Sequence, residues 1–178
     1  MSSNSHAGSS APAGPMDTDT LDFLRQVFNL VREGNGERLA GLIGKGLPVN
    51  FRNEKGDSLL MLASYHGHLD TVRVLLEAGA DPNVANDQGQ TPLAGVAYKG
   101  FMDIATLLLD HGAAVEGNSP DGKTPLMLAA MFNRVDILDM LVKRGANVDA
   151  VDSRGMTALS LAATMGAKDT LAALEARA

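Results

Sequence analysis

Near-copies of one short segment recur along this chain at a fixed spacing of 33 residues. The clearest copies read GQTPL at 89–93 and GKTPL at 122–126, and more divergent copies read GDSLL at 56–60 and GMTAL at 155–159. Such self-similarity is typical of a row of like units, each burying its apolar face against its neighbours. The repeat therefore predicts a stacked core. A second set of glycines keeps the same spacing: Gly46, Gly79, Gly112 and Gly145.

Each clear copy begins with residues that favour a helix start. Thr91 and Thr124 offer a side-chain oxygen to the first amides of a helix, and Pro92 and Pro125 occupy a position where a missing N–H costs nothing. A period of 33 residues with a T-P-L core is typical of ankyrin repeats, so the chain resembles an ankyrin-repeat protein from about residue 21 onward. The resemblance implies an all-α fold, an ankyrin-repeat solenoid of stacked helix-turn-helix units with projecting β-turn fingers.

The repeats divide the chain into a leader and five units. Residues 1–18, rich in Ser, Ala, Gly and Pro, are predicted to be disordered because they bury too little apolar surface to offset their ordering entropy. Asp19 or Thr20 is expected to cap the first helix of a folded domain at 19–178. Within that domain we expect an N-terminal capping repeat at 19–50, full repeats at 51–83, 84–116 and 117–149, and a C-terminal capping repeat at 150–178.

Positions that stay alike in the repeats are interpreted as structural. Gly67, Gly100 and Gly166 are expected to end a first helix in the left-handed conformation, and Asn133 takes that place once. One departure from the family concerns the histidine of the T-P-L-H motif. The resemblance implies that this histidine forms a hydrogen bond between repeats. Without it, we expect stability to depend more on apolar packing. In this chain the histidine position of the four repeats is occupied by Met61, Ala94, Met127 and Ser160.

Composition and charge exclude several function classes. The chain has no cysteine, so disulfides, thiolate metal sites and cysteine nucleophiles are excluded. A formal charge of -6 without a concentrated basic surface disfavours nucleic acid as a partner. No secretory signal or membrane span is predicted, so we expect no membrane partner and a cytoplasmic location.

Residues 117–124 match the phosphate-loop pattern G-x-x-x-x-G-K-[ST] in every letter. In a phosphate loop a buried strand leads directly into the loop, whereas residues 104–109 have the pattern of a repeat helix. The repeat already accounts for Gly122 and Thr124. A nucleotide-binding switch or enzyme that uses Lys123 and Thr124 is therefore kept as the alternative function.

Other arrangements that could carry chemistry are weaker. His66 and His68 are separated by a helix-breaking glycine and lack a predicted third metal ligand, so no metal site is expected. Residues 81–83 start like a calcium loop, but Ala85 breaks its ligand order. No nucleophile-elbow pattern occurs. We expect no catalytic residue and no cofactor.

Two adjacent positions late in each first helix vary between repeats. In the proteins that this one resembles, these positions and the finger tips line a concave binding groove. Three of the seven aromatic residues, Tyr65, Tyr98 and Phe132, lie at these positions, and Phe51 lies in a finger. Aromatic and methionine enrichment is typical of an interface centre, although scattered exposed aromatics also occur on ordinary surfaces. The predicted partner-binding residues are Phe51, Arg52, Lys55, Tyr65, His66, Gln88, Tyr98, Lys99, Lys123, Met131, Phe132, Arg154, Met156 and Met165.

The sequence as a whole favours a non-catalytic protein-interaction module. It would bind another, folded protein through the concave groove and the finger tips, as an inhibitor, adaptor or assembly factor. We expect a monomer when it is free.

Overall fold

The computed structural model describes residues 17–117 and 119–177, and within them the chain forms ten α-helices. The all-α repeat solenoid expected from the sequence is confirmed. The predicted disorder of the leader falls largely on residues 1–16, which lie outside the described residues. The helices are α1 (Thr18–Arg32), α2 (Gly36–Gly44), α3 (Leu59–His66), α4 (Leu69–Glu77), α5 (Pro92–Lys99), α6 (Met102–Asp110), α7 (Pro125–Met131), α8 (Val135–Lys143), α9 (Ala158–Met165) and α10 (Lys168–Glu175).

The predicted helix caps are present in the full repeats. The Thr91 hydroxyl accepts a 3.3 Å hydrogen bond from the Ala94 N–H at the start of α5, and Thr124 caps α7 in the same way. The prediction for α1 was wrong by two or three residues. Its cap is Asp17, whose carboxylate accepts from the Thr20 N–H at 2.7 Å.

The left-handed residues that end the first helices are also as predicted. Gly67, Gly100 and Gly166 have φ angles of 80°, 92° and 68°, and Asn133 has a φ of 57°. Phe101, from the following repeat, lies over Gly67. A Cβ on Gly67 would come within 2.8 Å of the Phe101 ring, so this glycine is required by a close approach as well as by its backbone.

Stacking of like helices forms one continuous core. From α3 onward the odd-numbered helices pack closely on one another, and from α4 onward the even-numbered helices pack less closely in a second row. We call the exposed side of the closely packed helices α3, α5, α7 and α9 the inner face. Small buried residues permit the close approach, whereas Ala163 is exposed in the last described repeat. The buried alanines of the odd-numbered helices include Ala63, Ala97, Ala129, Ala130 and Ala162.

Apolar side chains replace most of the missing histidines, as expected. Met61, Ala94 and Met127 are buried, and Ser160 joins Thr157 in a capping box at the start of α9. Polar ties between repeats nevertheless exist, made by other residues. Side-chain oxygens at one repeat position accept a backbone N–H from the next repeat: Asn50 from Asp81 at 2.9 Å, Asn83 from Ala114 at 2.8 Å, and Glu116 from Asn147 at 2.6 Å.

The last repeat has a polar outer side. Lys168 and Glu175, which replace apolar residues of earlier repeats, are exposed, while Leu174 is buried against the preceding repeat. Such a surface is what a terminal capping repeat needs. None of the helices described between residues 17 and 177 is long and apolar enough to cross a membrane.

Candidate functional site

Three aromatic side chains form a strip along the inner face, and we call Tyr65, Tyr98 and Phe132 the aromatic strip. Tyr65 is 42% exposed, Tyr98 is 39% exposed and Phe132 is half-buried. The rings of Tyr98 and Phe132 meet edge to face across a repeat boundary, with centroids 4.5 Å apart and an interplanar angle of 82°. Edge-to-face contact is a favoured aromatic geometry, so each ring helps to orient the other.

Tyr65 is positioned by the repeat that follows it. Gly95 has no side chain at the point where Tyr65 lies, and a Cβ there would be 3.5 Å from the Tyr65 ring. The Lys99 ammonium lies over the same ring, 4.6 Å from its centroid. This cation–π contact holds the lysine at the surface of the strip.

His66 lies in positively charged surroundings. Its ring is exposed and stacks near that of His68, with centroids 6.1 Å apart, and His68 Nε2 lies 2.7 Å from the carbonyl oxygen of Arg32. Partial burial lowers the pKa of His66, and the nearby charges of His68, Arg32 and Lys99 lower it further. Among the described residues, no three His, Asp or Glu side chains lie close enough together to hold a metal ion.

Phe51 differs from the other predicted aromatic contacts. Its ring lies 6.0 Å from that of Phe28 and packs against the core, so only part of it remains available to a partner. Met131 and Met156 are half-buried against the same core, whereas Met165 is 51% exposed on the last repeat.

Arg52 links two neighbouring fingers. Its guanidinium donates at 3.0 Å to the Ala85 carbonyl and lies 3.3 Å from the Asp87 carboxylate. The Asp87 N–H also donates at 3.1 Å to the Lys55 carbonyl. The Lys55 and Gln88 side chains are exposed nearby. Arg52 therefore has a structural role, and its exposed part remains at the finger surface.

Lys123 lies in a network of carboxylates between two fingers. Its side chain is only 16% exposed, pairs with Asp121 and lies 3.9 Å from Asp152, whose side chain is fully buried. Hydrogen bonds from Lys123 and Ser119 lower the pKa of Asp121 to about 2. The Met156 N–H, the Arg154 N–H and then the charges of Arg154 and Lys123 lower the pKa of Asp152, against the raising effect of burial. Arg154, exposed and 3.5 Å from Asp152, extends the network to the surface.

A family model described as "Ankyrin repeats (3 copies)" matches residues 28–119 and 96–176. The chain belongs to the ankyrin-repeat family. Ankyrin repeats are protein-interaction modules, and the chain is therefore a protein-interaction module. An ankyrin repeat protein of Pseudomonas aeruginosa is 58% identical over 64 residues, which are 36% of this chain and 37% of that protein. The match thus spans little more than a third of the relative's length.

The segment that resembles a phosphate loop is an ankyrin finger. Its Thr124 hydroxyl accepts from the Met127 N–H, and its Lys123 ammonium pairs with carboxylates. Gly117 lies at the base of the finger, where a Cβ would be 3.3 Å from the Thr91 methyl group. The lysine and hydroxyl that would hold phosphate and magnesium are thus engaged within the protein.

One set of finger residues in this ankyrin-repeat protein was missed by sequence reasoning. The Asn86 side-chain oxygen accepts from the N–H groups of Gln88 and Gln90, and Asn53 and Asp152 do the same in their fingers. These Asx turns fix the finger shape. A short polar side chain recurs there at the repeat spacing, and this signal could have identified the position: Asn53, Asn86, Ser119 and Asp152.

Two surface depressions lie at the even-numbered helices α6 and α8. One is at the start of α8, beside Gly100 and Asn133, and the other lies between α6 and α8, beside Met102 and Lys143. Neither includes a residue of the strip.

Proposed function

We propose that this ankyrin-repeat protein is a non-catalytic module that holds a folded protein partner through its inner face and finger tips. The proposed contact surface comprises the aromatic strip, its neighbours His66, Lys99, Met131 and Met165, and the exposed parts of the finger residues. The partner would be blocked or tethered by the bound stack, so the module would act as an inhibitor, adaptor or assembly factor.

The edge-to-face pair of Tyr98 and Phe132 is the observation that carries this proposal. The two rings come from different repeats, at positions that the repeats do not keep alike, and Tyr98 remains 39% exposed. Rings already in contact lose little conformational freedom on binding, and aromatic residues at an interface centre contribute strongly to affinity. Partner association is the function that this arrangement supports best.

The surrounding structure supports binding by a preformed surface. The strip rests on helices whose small residues are fully buried, as are Leu93, Leu126 and Ala129 beneath it. A surface built on a packed core rearranges little on binding. We further propose a monomeric free protein and a cytoplasmic location, with no nucleic acid as a partner because the charge of -6 comes without a concentrated basic surface.

Affinity capture from the native cell extract tests the proposal. The bait is the whole chain, compared with a Tyr98→Ala/Phe132→Ala double variant and with Phe23→Ala as the matched control. Phe23 is also an exposed aromatic, 43% accessible, but it lies on α1 outside the proposed surface. We expect a protein that is retained by the wild type and Phe23→Ala and lost with the double variant. Equal retention by all three baits would refute binding through the strip.

A further inference from the structure

The carboxylates of the repeats are segregated between the two rows of helices. The even-numbered helices α4, α6, α8 and α10 each carry two Asp or Glu residues. The odd-numbered helices α3, α5, α7 and α9 are described over their whole lengths and carry none. Four of the five odd-numbered helices are therefore free of negative side chains, whereas α1 of the capping repeat carries Asp19 and Asp22.

Basic side chains lie beside the inner face, and we call Arg32 at the end of α1, the neutral His66, Lys99 at the end of α5 and Arg134 before α8 the cationic row. Arg32 and Lys99 both lie close enough to His66 to act on its charge. Arg134 Nε donates at 3.3 Å to the Tyr98 carbonyl and lies beside Gly100, next to Lys99 in the chain. The row thus follows the aromatic strip across three repeat boundaries.

The cationic row lacks acidic partners within the protein. Over residues 17–117 and 119–177, no carboxylate lies within 4.0 Å of the side-chain nitrogens of Arg32, His66, Lys99 or Arg134. Lys99 is instead held over the Tyr65 ring. One acidic residue lies at the end of the row. It is Glu33, which is exposed in the capping repeat and precedes His66 by one repeat length of 33 residues.

We propose that the inner face selects an acidic segment of a partner protein, with an Asp or Glu side chain between His66 and Lys99 and an apolar side chain on Tyr98 and Phe132. This proposal rests on the proposed function and specifies its partner. Charge complementarity favours such a segment because it speeds association and excludes basic competitors, which the bare cations repel. The rings supply the apolar contact that a charged pair alone lacks.

A polyanionic nucleic acid would also be attracted by cations, but the structure favours a peptide. The row contains single cations separated by rings, and α4, α6, α8 and α10 in the other row of helices each carry two carboxylates. A phosphate backbone needs a continuous basic surface. Nucleic-acid binding is therefore an outcome that the test has to distinguish.

Selection of random peptides displayed on phage tests the chemistry without a known partner. The whole chain is immobilised as the wild type, as Lys99→Glu, as Lys168→Glu and as Tyr98→Ala/Phe132→Ala. Lys168→Glu makes the same charge change at an exposed position of α10, away from the inner face, and serves as the matched control. Circular dichroism confirms that each variant is folded.

We expect wild-type and Lys168→Glu baits to enrich peptides that combine Asp or Glu with aromatic or aliphatic residues. Lys99→Glu should bind those peptides about tenfold more weakly, the loss expected for a close charge pair, and should itself enrich basic peptides. Enrichment of neutral or basic peptides on the wild type would refute the acidic preference and leave the proposed function intact. Displacement of the peptides by single-stranded DNA at moderate salt would refute it in favour of nucleic acid. Absence of any peptide that needs Tyr98 and Phe132 would refute the acidic-segment proposal, whereas the proposed function is refuted by equal retention of proteins on the three capture baits.

Discussion

The side-chain oxygen of Asn133 accepts a 3.1 Å hydrogen bond from the backbone N–H of Thr170, in the first turn of the next repeat's second helix. It also accepts from the Asp169 N–H at 3.0 Å, so Asn133 caps α10 from another repeat. The residue just before α10 is Ala167, whereas His68 and Phe101 at the equivalent positions cover a glycine of the preceding repeat. The small alanine leaves room for the Asn133 side chain.

Asn133→Ala should therefore destabilise the protein by about 1.5–3 kcal/mol. Two losses of folding free energy combine: loss of the helix cap costs about 0.5–2 kcal/mol, and the strain of alanine at a positive φ costs about 1 kcal/mol. Asn133→Gly loses the cap without the backbone strain and should cost less than Asn133→Ala. Urea unfolding followed by circular dichroism measures both. Wild-type stability of Asn133→Ala would contradict a capping role.

Gly67→Ala should be more destabilising than Gly166→Ala. Both glycines end a first helix at positive φ, but a Cβ on Gly67 would meet the Phe101 ring at 2.8 Å, and nothing lies within 4 Å of one on Gly166. The Gly166 variant measures the backbone strain alone, about 1–2 kcal/mol. Overpacking against Phe101 should add about 1–3 kcal/mol. Equal urea midpoints for Gly67→Ala and Gly166→Ala would show that the Phe101 ring moves aside without a free-energy cost.

Tyr98→Ala and Phe132→Ala should each weaken binding of the captured partner by about 1–3 kcal/mol without unfolding the protein. Because the rings touch, the two losses should not add, and a double-mutant cycle should give a coupling of about 0.5–1.5 kcal/mol. Isothermal titration calorimetry provides the affinities. Strictly additive losses would mean that the edge-to-face pair does not act as a unit on binding.

The contribution of Asp121 to stability should disappear in acid. Its carboxyl has a pKa of about 2 in the folded protein, below the ordinary value of 3.8, because Lys123 and Ser119 stabilise the charged form. That contribution is complete above the ordinary pKa and is lost as the pH falls through about 2. Unfolding of the wild type and Asp121→Asn at a series of pH values should give a stability difference that shrinks in this interval. A difference that stays constant would contradict this assignment.

Millimolar ATP with magnesium should leave the melting temperature unchanged. Lys123 pairs with Asp121 and lies near Asp152, and Thr124 caps α7, so neither group is free for a phosphate. Differential scanning fluorimetry tests this expectation. A rise in melting temperature that Lys123→Met abolishes would support the nucleotide alternative.

The sequence predicted what is encoded locally. Thr91, Thr124 and the helix-ending glycines specify helix boundaries through their own backbone and side-chain chemistry, and the structure places them accordingly. Contacts between repeats depend on the offset with which units stack, which no local pattern contains. For this reason Asn133 was interpreted only as a residue that tolerates a left-handed backbone.

The residues of the candidate site also divide into those positioned by local sequence and those positioned by contacts between repeats. The outward position of Tyr65 and Tyr98 follows from their place in the repeat, and both are exposed. The engagement of Lys123 with Asp152 and the packing of Phe51 on Phe28 depend on which repeats meet, and sequence reasoning grouped both residues with the free finger surface. Whether the predicted residues bind a partner stays a prediction.

From α3 to α10 the helical carboxylates lie in the even-numbered row and Lys99 lies in the other, so charge is unevenly distributed across the long axis of the stack. A partner with an acidic patch would feel a torque while still a Debye length away, about 8–10 Å, and would arrive already rotated toward the aromatic rings. Added salt should then slow the encounter much more than it shortens the lifetime of the complex.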